Sequence, residues 1–340
     1  MTPVLLDLLC DPVTQGPLIL KEGEYRDGSI VSGWLESEQG RRYPIVDGIP
    51  RFTGQAPSTS VTSFGDEWNH FNFVEFKDNW LQHTVKNTFG SVQAFEGKIV
   101  VDAGAGSGSQ SLWMLESGAR HVIALELSHS VDDVMLRNID RQKWPNVDIV
   151  QCSIDAPPLR SRSIDGIVIC HNVIQHTPSV EKTAQALFQV VGPGGQFVFN
   201  CYPLNDRGLL RWIRWHGIYL PLRSLLSRLP FGLILGYART TALLRLIPGV
   251  GELLEKLHIC FQGDVPVKPE SRLSRLKRRF RATALNTFDA YGSHSFQHHK
   301  SDAEITELVN RLQPDPGKVL NREAYFRHPT PIGCALRLFR

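Results

Sequence analysis

The stretch KIVVDAGAGSG, residues 98–108, decides the fold of this chain. Its apolar run, IVV, is short and is stopped by glycines, which predicts a strand buried on both faces. Asp102 ends that strand, and a turn with glycines at 104, 106 and 108 leads into a helix. Glycine adopts backbone conformations that other residues resist, and a helix N-terminus favours anions. The turn therefore indicates a nucleotide-like ligand, and the alternative is a tight strand-to-helix turn without a ligand.

The spacing of the glycines separates two classes of nucleotide site. A dinucleotide fingerprint has the pattern G-x-G-x-x-G, whereas this turn has G-x-G-x-G after an acid. The pattern resembles the first motif of the class I S-adenosylmethionine (SAM) methyltransferases, of the type 11 kind. The resemblance implies SAM as the cofactor, with Asp102 and the glycine turn at its methionine end. An NAD-dependent dehydrogenase is disfavoured by the same spacing.

Two further acids follow at strand ends. The second predicted strand, HVIALE, ends at Glu126, 24 residues after Asp102. An acid roughly 20 residues beyond the first strand can accept hydrogen bonds from both ribose hydroxyls. The third strand is predicted to end at Asp155, and the resemblance implies that this carboxylate binds the adenine amino group beside Ile154. The segment HNVIQHTPS, 171–179, resembles the family signature after the fourth strand.

The resemblance implies a set of cofactor-binding residues drawn from these four strand ends. They are Asp102, Ala103, Gly104, Ala105, Gly106, Glu126, Leu127, Ile154, Asp155, Cys170, His171 and Asn172.

Strands and helices alternate from residue 98 to residue 202, which predicts a parallel doubly wound sheet. The fifth strand, GGQFVFNCYP, follows a Pro-Gly-Gly turn. A helix is predicted over 301–312, with Ser301 as its N-cap and Glu304 completing a capping box. The segments 317–327 and 332–339 are then predicted as antiparallel sixth and seventh strands. The expected fold class is α/β, a seven-stranded, mostly parallel, Rossmann-like sheet.

The chain divides into five predicted segments. These are a small β-rich domain over 1–55, a linker and helical lead-in over 56–97, the SAM-binding core over 98–205, a helical insert over 206–285, and a return to the core over 286–340. Within the second segment, residues 56–64 have the Ser/Thr/Pro composition of a linker. The aromatic residues of the lead-in either cover the cofactor pocket or fill the groove beside the sheet.

The first 55 residues resemble a family of small methyltransferase-activator proteins related to zinc ribbons. The match is closest at YPIVDGIP, 43–50. Asp11 occupies the position of a metal-ligand cysteine, Cys10 is displaced by one residue, and no second cysteine lies near. Zinc sites need four suitably spaced ligands, so no metal is expected. The resemblance implies a docking role, and a small β cap without a function is the alternative.

The insert is both apolar and basic. From 207 to 251 it contains seven arginines and no Asp, Glu or Lys, and KPESRLSRLKRRFR follows at 268–281. Apolar, arginine-bearing helices with Trp and Tyr suit a membrane interface. Peripheral membrane contact through 206–281 is one interpretation, a helical lid over the core is another, and nucleic-acid contact is a third. Pro221, Pro230 and Pro248 are expected to interrupt any single amphipathic stripe.

A histidine-rich segment precedes the last helix. NTFDAYGSHSFQHHKSD, 286–302, resembles a D-x-Y…H-x-H segment of related methyltransferases and would line the acceptor side of the pocket. Because histidine titrates near neutral pH, His298 and His299, together with His176, are candidate catalytic bases. A solvent-exposed loop and a histidine metal site are the alternatives.

Composition limits the function classes. The chain of 340 residues is 42% hydrophobic and 21% charged, as in globular proteins, and its net charge of +3 does not by itself imply nucleic acid. Six scattered cysteines without a C-x-x-C pair predict buried free thiols and a reducing compartment. No signal peptide or apolar run of spanning length is present, so a cytoplasmic, peripherally membrane-associated protein is expected.

The predicted activity is methyl transfer from SAM to a small or amphiphilic, lipid-like acceptor, at an oxygen or carbon atom. The lipid-like acceptor is predicted because the insert is both apolar and basic. The alternatives are a non-catalytic scaffold built on the same fold, and a methyltransferase for tRNA or protein that uses the basic insert.

Overall fold

The computed structural model describes residues 1–53, 59–204, 208–262, 271–292, 294–313, 319–328 and 333–340, and leaves out the side chains of 59–61. Two compact units are present. The core unit contains Met1–Tyr202 and Phe296–Arg340, and the insert unit contains Pro203–Ser295. The domain boundary predicted at 285/286 therefore falls ten residues before the end of the insert unit.

The described strands are two to nine residues long. They are β1 (Leu18–Arg26), β2 (Ser29–Ser37), β3 (Arg42–Val46), β4 (Ile49–Pro50), β5 (Ile99–Ala103), β6 (His121–Glu126), β7 (Val147–Gln151), β8 (Ile167–Cys170), β9 (Gln196–Phe199), β10 (Tyr202–Pro203), β11 (His299–Lys300) and β12 (Leu336–Phe339).

The α-helices alternate with the strands of the main sheet and are the main elements described in the insert unit. They are α1 (Pro3–Leu8), α2 (Thr59–His70), α3 (Lys77–Asn79), α4 (Lys86–Phe89), α5 (Ser109–Glu116), α6 (Val134–Asn138), α7 (Val180–Val190), α8 (Leu209–Arg214), α9 (Leu220–Leu226), α10 (Phe231–Leu244), α11 (Val250–Lys256), α12 (Arg272–Tyr291), α13 (Asp302–Leu312) and α14 (Arg322–Arg327). Short 3₁₀ or π segments cover Val74–Phe76, Trp80–Val85, Val92–Phe95, His129–Asp132, Ile174–His176 and Trp215–Tyr219.

The main sheet has the order β12-β9-β8-β5-β6-β7 among the described residues. Its inner pairs are parallel, and β12 runs antiparallel to β9. The predicted mostly parallel α/β sheet is therefore confirmed. Parallel strands take helices on both faces, and the sheet accordingly separates two large apolar clusters.

The predicted seven strands are corrected to six over the described residues. The segment 317–327 was expected to be a strand, but α14 occupies Arg322–Arg327, and Val319 alone forms a bridge with Leu338. An i,i+4 ion pair between Glu323 and Arg327, at 2.7 Å, supports the helix. The predicted last strand is present in a shorter form, as β12. The capping box of Ser301 and Glu304 at the start of α13 is confirmed.

The N-terminal residues form part of the core unit. Strands β1 to β4 make an antiparallel sheet in chain order. Leu5 and Leu35 belong to the same apolar cluster as the inner strands of the main sheet. The edge strand β7 is covered as well, because Arg51 forms a parallel bridge with Gln151 and the Phe52 amide donates to the Gln151 carbonyl at 2.8 Å. The β-rich segment therefore shares one hydrophobic core with the main sheet.

Asp11 organises the first turn of the β-rich segment. Its side chain is fully buried. The carboxylate accepts hydrogen bonds from the Arg41 guanidinium at 3.0 Å, the Tyr43 hydroxyl at 3.2 Å and the Val13 amide at 2.8 Å. Burial raises the pKa of Asp11, but the hydrogen bonds from Val13, Ser37 and Arg41 outweigh it and hold the pKa below its usual value. An ionised carboxylate thus connects the turn after α1 with Arg41 and Tyr43, about thirty residues further along the chain.

The lead-in is helical as predicted, and its helix α2 begins at Thr59, inside the segment predicted as a linker. Residues 56–58 of that segment lie outside the described residues. Trp80, Phe89 and Phe95 pack with the main sheet, which is the groove-filling role. All six cysteines are free and buried.

The insert unit is built around a helix that continues through a proline. Backbone dihedrals stay helical from α8, through the π turn Trp215–Tyr219, into α9. Pro221 lies near the start of α9, and the π turn directly before it relieves the hydrogen-bond loss that proline causes. The helix therefore continues through Pro221, which was expected to interrupt its amphipathic stripe. Pro230, as the N-cap of α10, and Pro248 do lie at helix ends.

Aromatic side chains form the core of the insert unit. Trp215, Tyr219 and Tyr291 are buried together with Tyr237 and Phe261. The Arg223 guanidinium donates to the carbonyl oxygens of Ala290 and His294, at 2.7 and 3.1 Å. Arg245 is buried and pairs with Glu255 at 2.7 Å. Some of the insert's arginines therefore hold its helices together. No helix among the described residues is both long and apolar enough to cross a bilayer.

The histidine-rich segment is divided between the two units. Asp289 and Tyr291 lie within α12 and His294 follows it, all in the insert unit, whereas His298 and His299 belong to the core unit. Residues 286–291 of this segment are therefore helical.

Candidate functional site

The glycine turn follows β5 at the carboxyl edge of the main sheet. Gly104, Gly106 and Gly108 have φ values of +84°, +56° and +75°, in the region that favours glycine. A methyl group on Gly104 would lie 2.4 Å from the Val173 side chain, and one on Gly106 would lie 2.9 Å from the Trp68 indole. The glycines are therefore required both by the backbone conformation and by close packing on the turn.

The amides of this turn are held by the neighbouring strand. The amides of Gly104 and Ala105 both donate to the Leu125 carbonyl, at 2.8 and 2.9 Å, and the Gly106 carbonyl accepts from Ser130 Oγ at 2.8 Å. These hydrogen bonds attach the turn to β6 and to the residues that follow it, and so fix its conformation.

Glu126 anchors the turn from the end of β6. Its carboxylate accepts from the Gly106 amide and from the Ser128 amide, each at 2.8 Å. The side chain is buried. Each carboxylate oxygen has a further lone pair, so Glu126 can accept two hydroxyl donors while it keeps both amides. This geometry suits the predicted role at a ribose diol.

Asp102 lies deeper than predicted. Its carboxylate is buried and accepts from Ser111 Oγ, on α5, at 2.6 Å. The pKa of Asp102 is raised to about 6. Burial and the charge of Glu126 raise it, and the hydrogen bond from Ser111 lowers it. Asp102 therefore joins the strand to the following helix, and its predicted role at the methionine end remains a prediction.

Replacing Asp102 by asparagine is expected to stabilise the protein in mild alkali. The folded pKa exceeds that of an unfolded aspartate, about 3.9, so ionisation of Asp102 costs stability as the pH rises from about 4 to above 6. The variant avoids this cost. Its gain in the free energy of unfolding should be about 1 kcal/mol larger near pH 8 than near pH 5.

Urea denaturation at the two pH values checks this result. Asp165→Asn, at an exposed acid before β8, is the control. A variant of Asp102 that is less stable than the wild type at the higher pH would show that the ionised carboxylate is needed by the fold.

The remaining predicted cofactor residues differ in exposure. Asp155 and Leu127 are half-buried, and Ile154 is buried. Asp155 lies four residues beyond the end of β7 and accepts from Ser153 Oγ. Ala103, Ala105, Cys170 and His171 are buried. Burial raises the pKa of the Cys170 thiol, which makes it a packing residue.

Asn172 has a strained backbone at the end of β8. Its φ is +60°, which is uncommon for a residue other than glycine. The backbone amide of Asn172 donates to Asn200 Oδ1 at 2.7 Å. The Asn200 side chain donates in return, from Nδ2 to Asn172 Oδ1 at 2.6 Å. Asn200 follows β9 and is fully buried. The pair fixes the ends of two adjacent strands, and such strain is typical of functional sites.

Gln175 is a fully buried polar side chain on the turn Ile174–His176. Neither its Oε1 nor its Nε2 has a hydrogen-bond partner in the part of the chain that the structure describes. A buried amide without partners costs free energy. The same turn follows Val173, which touches Gly104. Gln175 is therefore a candidate to bind a polar ligand group.

The three predicted histidines come together in the core unit. His176 Nδ1 lies 3.2 Å from the Phe296 carbonyl oxygen, and His298 Nε2 lies 3.0 Å from that of Thr177. The Tyr202 ring lies between the rings of His176 and His299, at centroid distances of 5.5 and 5.9 Å. Because a carbonyl only accepts, neutral His176 carries its proton on Nδ1 and has Nε2 as its basic atom.

Helix α2 lies over this edge of the sheet. Trp68 packs on Gly106, Asn69 Oδ1 accepts from the Val134 amide at 3.2 Å, and the Phe64 ring lies 5.2 Å from that of His176. The lead-in therefore covers the glycine turn as well as filling the groove.

A family comparison agrees with this arrangement. Residues 101–199 match the family model described as a methyltransferase domain. Residues 101–199 form a methyltransferase domain. Its methyl donor is S-adenosylmethionine.

Each of the similar proteins matches only part of this chain. The ubiquinone biosynthesis O-methyltransferase of Aromatoleum aromaticum is 31% identical over 114 residues, 34% of this chain and 48% of that protein. Protein arginine N-methyltransferase 1 of Chlamydomonas reinhardtii is 28% identical over 117 residues, 34% of each chain. A solved putative SAM-dependent methyltransferase of Methanococcus maripaludis is 15% identical, with a TM-score of 0.34, over 44% of this chain and 67% of that one. This chain spans less than half the length of these two curated relatives.

The residues of the methyltransferase domain fit SAM. Glu126 has acceptor capacity for two hydroxyls, Asp155 is a half-exposed carboxylate beside apolar Ile154, and Gln175 has a buried amide without a partner among the described residues. Glu126 would hold the ribose, Asp155 and Ile154 would hold the base, and Gln175 would hold a polar end of the ligand. When bound, SAM supplies a methyl group that is activated by its sulfonium.

Sequence reasoning missed several residues of the methyltransferase domain. Asn200 and Gln175 carry polar side chains at or after the carboxyl ends of strands, the same signal that revealed Glu126. Trp68 and Ser130 had no such signal, because their contacts with Gly106 depend on how separate segments meet.

Proposed function

We propose that the chain is a SAM-dependent methyltransferase that methylates an oxygen or carbon atom of a small or amphiphilic acceptor. The observation that carries this proposal is the contact of the Glu126 carboxylate with the Gly106 amide. It joins the acid expected at the ribose to the glycine turn, at the place where the family model matches. The O-methyltransferase relative supports an oxygen acceptor.

Few chemical steps are required of the chain's own side chains. Methyl transfer needs alignment and exclusion of water more than it needs a fixed triad. Trp68 and helix α2 cover the glycine turn and exclude water from it. Gln175 would orient a polar group, and His176 Nε2 would take the proton of an acceptor hydroxyl. The hydrogen bond from Nδ1 to the Phe296 carbonyl holds the imidazole in that tautomer.

Calorimetry with SAM and transfer of labelled methyl groups test the proposal. We expect SAM to bind and label to enter an acceptor from a screen of phenols, quinols and lipid extracts. No binding at millimolar SAM would overturn the proposal. Binding without transfer to any acceptor would favour the non-catalytic scaffold.

Replacing His176 by glutamine is expected to lower kcat for an oxygen acceptor by about a hundredfold, because general-base catalysis contributes at least that much. The Kd for SAM should stay within about twofold, since no cofactor contact is assigned to this ring. His83→Gln, at an exposed histidine of the lead-in, is the matched control. An unchanged kcat would remove His176 from the mechanism and leave His298 and His299 as candidates.

A further inference from the structure

Charge is divided unequally between the two units. Residues 203–295 contain fifteen Lys and Arg and six Asp and Glu, a formal net charge of +9. The other residues, which form the core unit, contain twenty-two Lys and Arg and twenty-eight Asp and Glu, a formal net charge of −6. The modest charge of the whole chain conceals this division. The insert unit therefore attracts anions while the core unit repels them.

The insert unit also exposes an unusual amount of apolar surface. It contributes fourteen of the twenty-two large hydrophobic side chains that are exposed among the described residues, although it is the smaller unit. Isolated exposed leucines are normal, but a concentration of them marks an interaction surface.

The longest run of exposed apolar side chains lies on the helix 209–226. We name it the apolar stripe, and it consists of Leu209, Leu210, Trp212, Ile213 and Leu220. Leu209 and Leu210 are 74% and 75% exposed, and Trp212 is 51% exposed. The spacing 209, 212, 213 and 220 places these side chains along one side of the helix, while Trp215, Tyr219 and Leu226 on another side enter the aromatic core.

Basic side chains accompany this apolar surface. Arg211 is exposed on the same helix as the stripe, and Arg272, Arg275 and Lys277 are exposed in the first turns of α12. Leu273 and Leu276 lie between these cations and are 63% and 44% exposed. The combination of exposed Leu, Ile and Trp with Arg and Lys suits a bilayer interface, where apolar side chains enter the acyl boundary and cations contact anionic headgroups.

We propose that the insert unit docks on anionic membrane surfaces through the apolar stripe. A second copy of this chain fits poorly, because two insert units repel each other at +9 each. Nucleic acid would use the cations but would leave the leucines without a partner. The proposal is independent of methyl transfer, since no residue of the stripe belongs to the methyltransferase domain.

Co-sedimentation of the full chain with vesicles tests the proposal. We expect binding to phosphatidylcholine vesicles that contain about a third phosphatidylglycerol, weaker binding to pure phosphatidylcholine, and weaker binding in high salt. On the anionic vesicles the Trp212 emission should shift to shorter wavelength, and Trp212→Phe should remove that shift without preventing binding.

Variants separate the stripe from charge alone. Leu210→Gln with Trp212→Gln should weaken vesicle partitioning at least tenfold, because each large apolar side chain removed from water contributes roughly that factor. Arg272→Gln with Arg275→Gln should weaken it by about fivefold for each cation. The matched control is Ile19→Gln with Tyr25→Gln, two exposed apolar residues of the core unit, which should not change binding.

Several outcomes would overturn the proposal. They are an absence of vesicle binding at low salt, equal binding of the wild type and the stripe variant, and binding to double-stranded DNA or RNA that excludes vesicles and does not depend on the stripe. A dimer that the stripe variant dissociates, without vesicle binding, would assign the surface to a second copy. SAM binding by every variant shows that each is folded.

Discussion

Replacing Glu126 by alanine is expected to raise the Kd for SAM about a thousandfold, because two charge-assisted hydrogen bonds to the ribose contribute roughly 4 kcal/mol in total. The substitution also leaves the amides of Gly106 and Ser128 without their shared acceptor. The glycine turn then loses one of its attachments to β6. Calorimetry with SAM measures the first effect, and thermal unfolding without ligand measures the second.

Two further variants distinguish the cofactor role of Glu126 from its structural role. Glu96→Ala, at an exposed acid before β5, should leave both measurements unchanged. Glu126→Gln keeps the shape and one acceptor, and should lose affinity by about tenfold to a hundredfold. If Glu126→Ala lowers stability while its Kd for SAM stays within about threefold of the wild type, the carboxylate serves only the turn.

Replacing Asp11 by alanine is expected to lower the free energy of unfolding at neutral pH by about 3 kcal/mol, because several hydrogen bonds to a buried carboxylate are lost together. Arg41 is partly exposed and can reach water. The Tyr43 hydroxyl and the Val13 amide, however, lose an acceptor in a half-buried region. Denaturant unfolding measures the loss, and Asp7→Ala, at an exposed acid on α1, is the matched control.

The pH dependence of this loss follows from the direction of the Asp11 shift. The folded pKa is lowered, so the carboxylate contributes its full stability above the pKa of an unfolded aspartate, about 3.9. The contribution decreases as the pH falls through the lower folded pKa. The difference between wild type and variant should therefore shrink in acid. A difference that is constant between neutral pH and about pH 3 would show that lost packing, and not lost charge, destabilises the variant.

Much of the core could be predicted from the sequence because its signals are local. Strand β6 matches the predicted segment HVIALE at both ends, and the glycine spacing identified the turn. These signals depend on short apolar runs and on residues that need positive φ. Ser301 and Glu304 are a second local signal, and the capping box they predict is present.

The errors arose where packing decided between local alternatives. The segment 322–327 carries two aromatic residues, which favoured a strand, yet its i,i+4 ion pair and its packing give α14. Asp102 was predicted to end its strand, but β5 continues to Ala103, and the Asp102 carboxylate accepts a hydrogen bond from Ser111 on the next helix. Trp68 over Gly106 depends on a contact 38 positions apart in the chain, and periodicity contains no information about such contacts.

The cover over the edge strand β7 has a consequence for biosynthesis. An uncovered strand edge can pair with another chain and lead to aggregation. Here the backbone of Arg51 and Phe52 pairs with Gln151. A ribosome makes residues 51 and 52 about a hundred residues before the strand they cover, and domains begin to fold from their N-terminal side during synthesis. The segment that protects the nascent sheet is therefore already outside the ribosome when the vulnerable edge emerges.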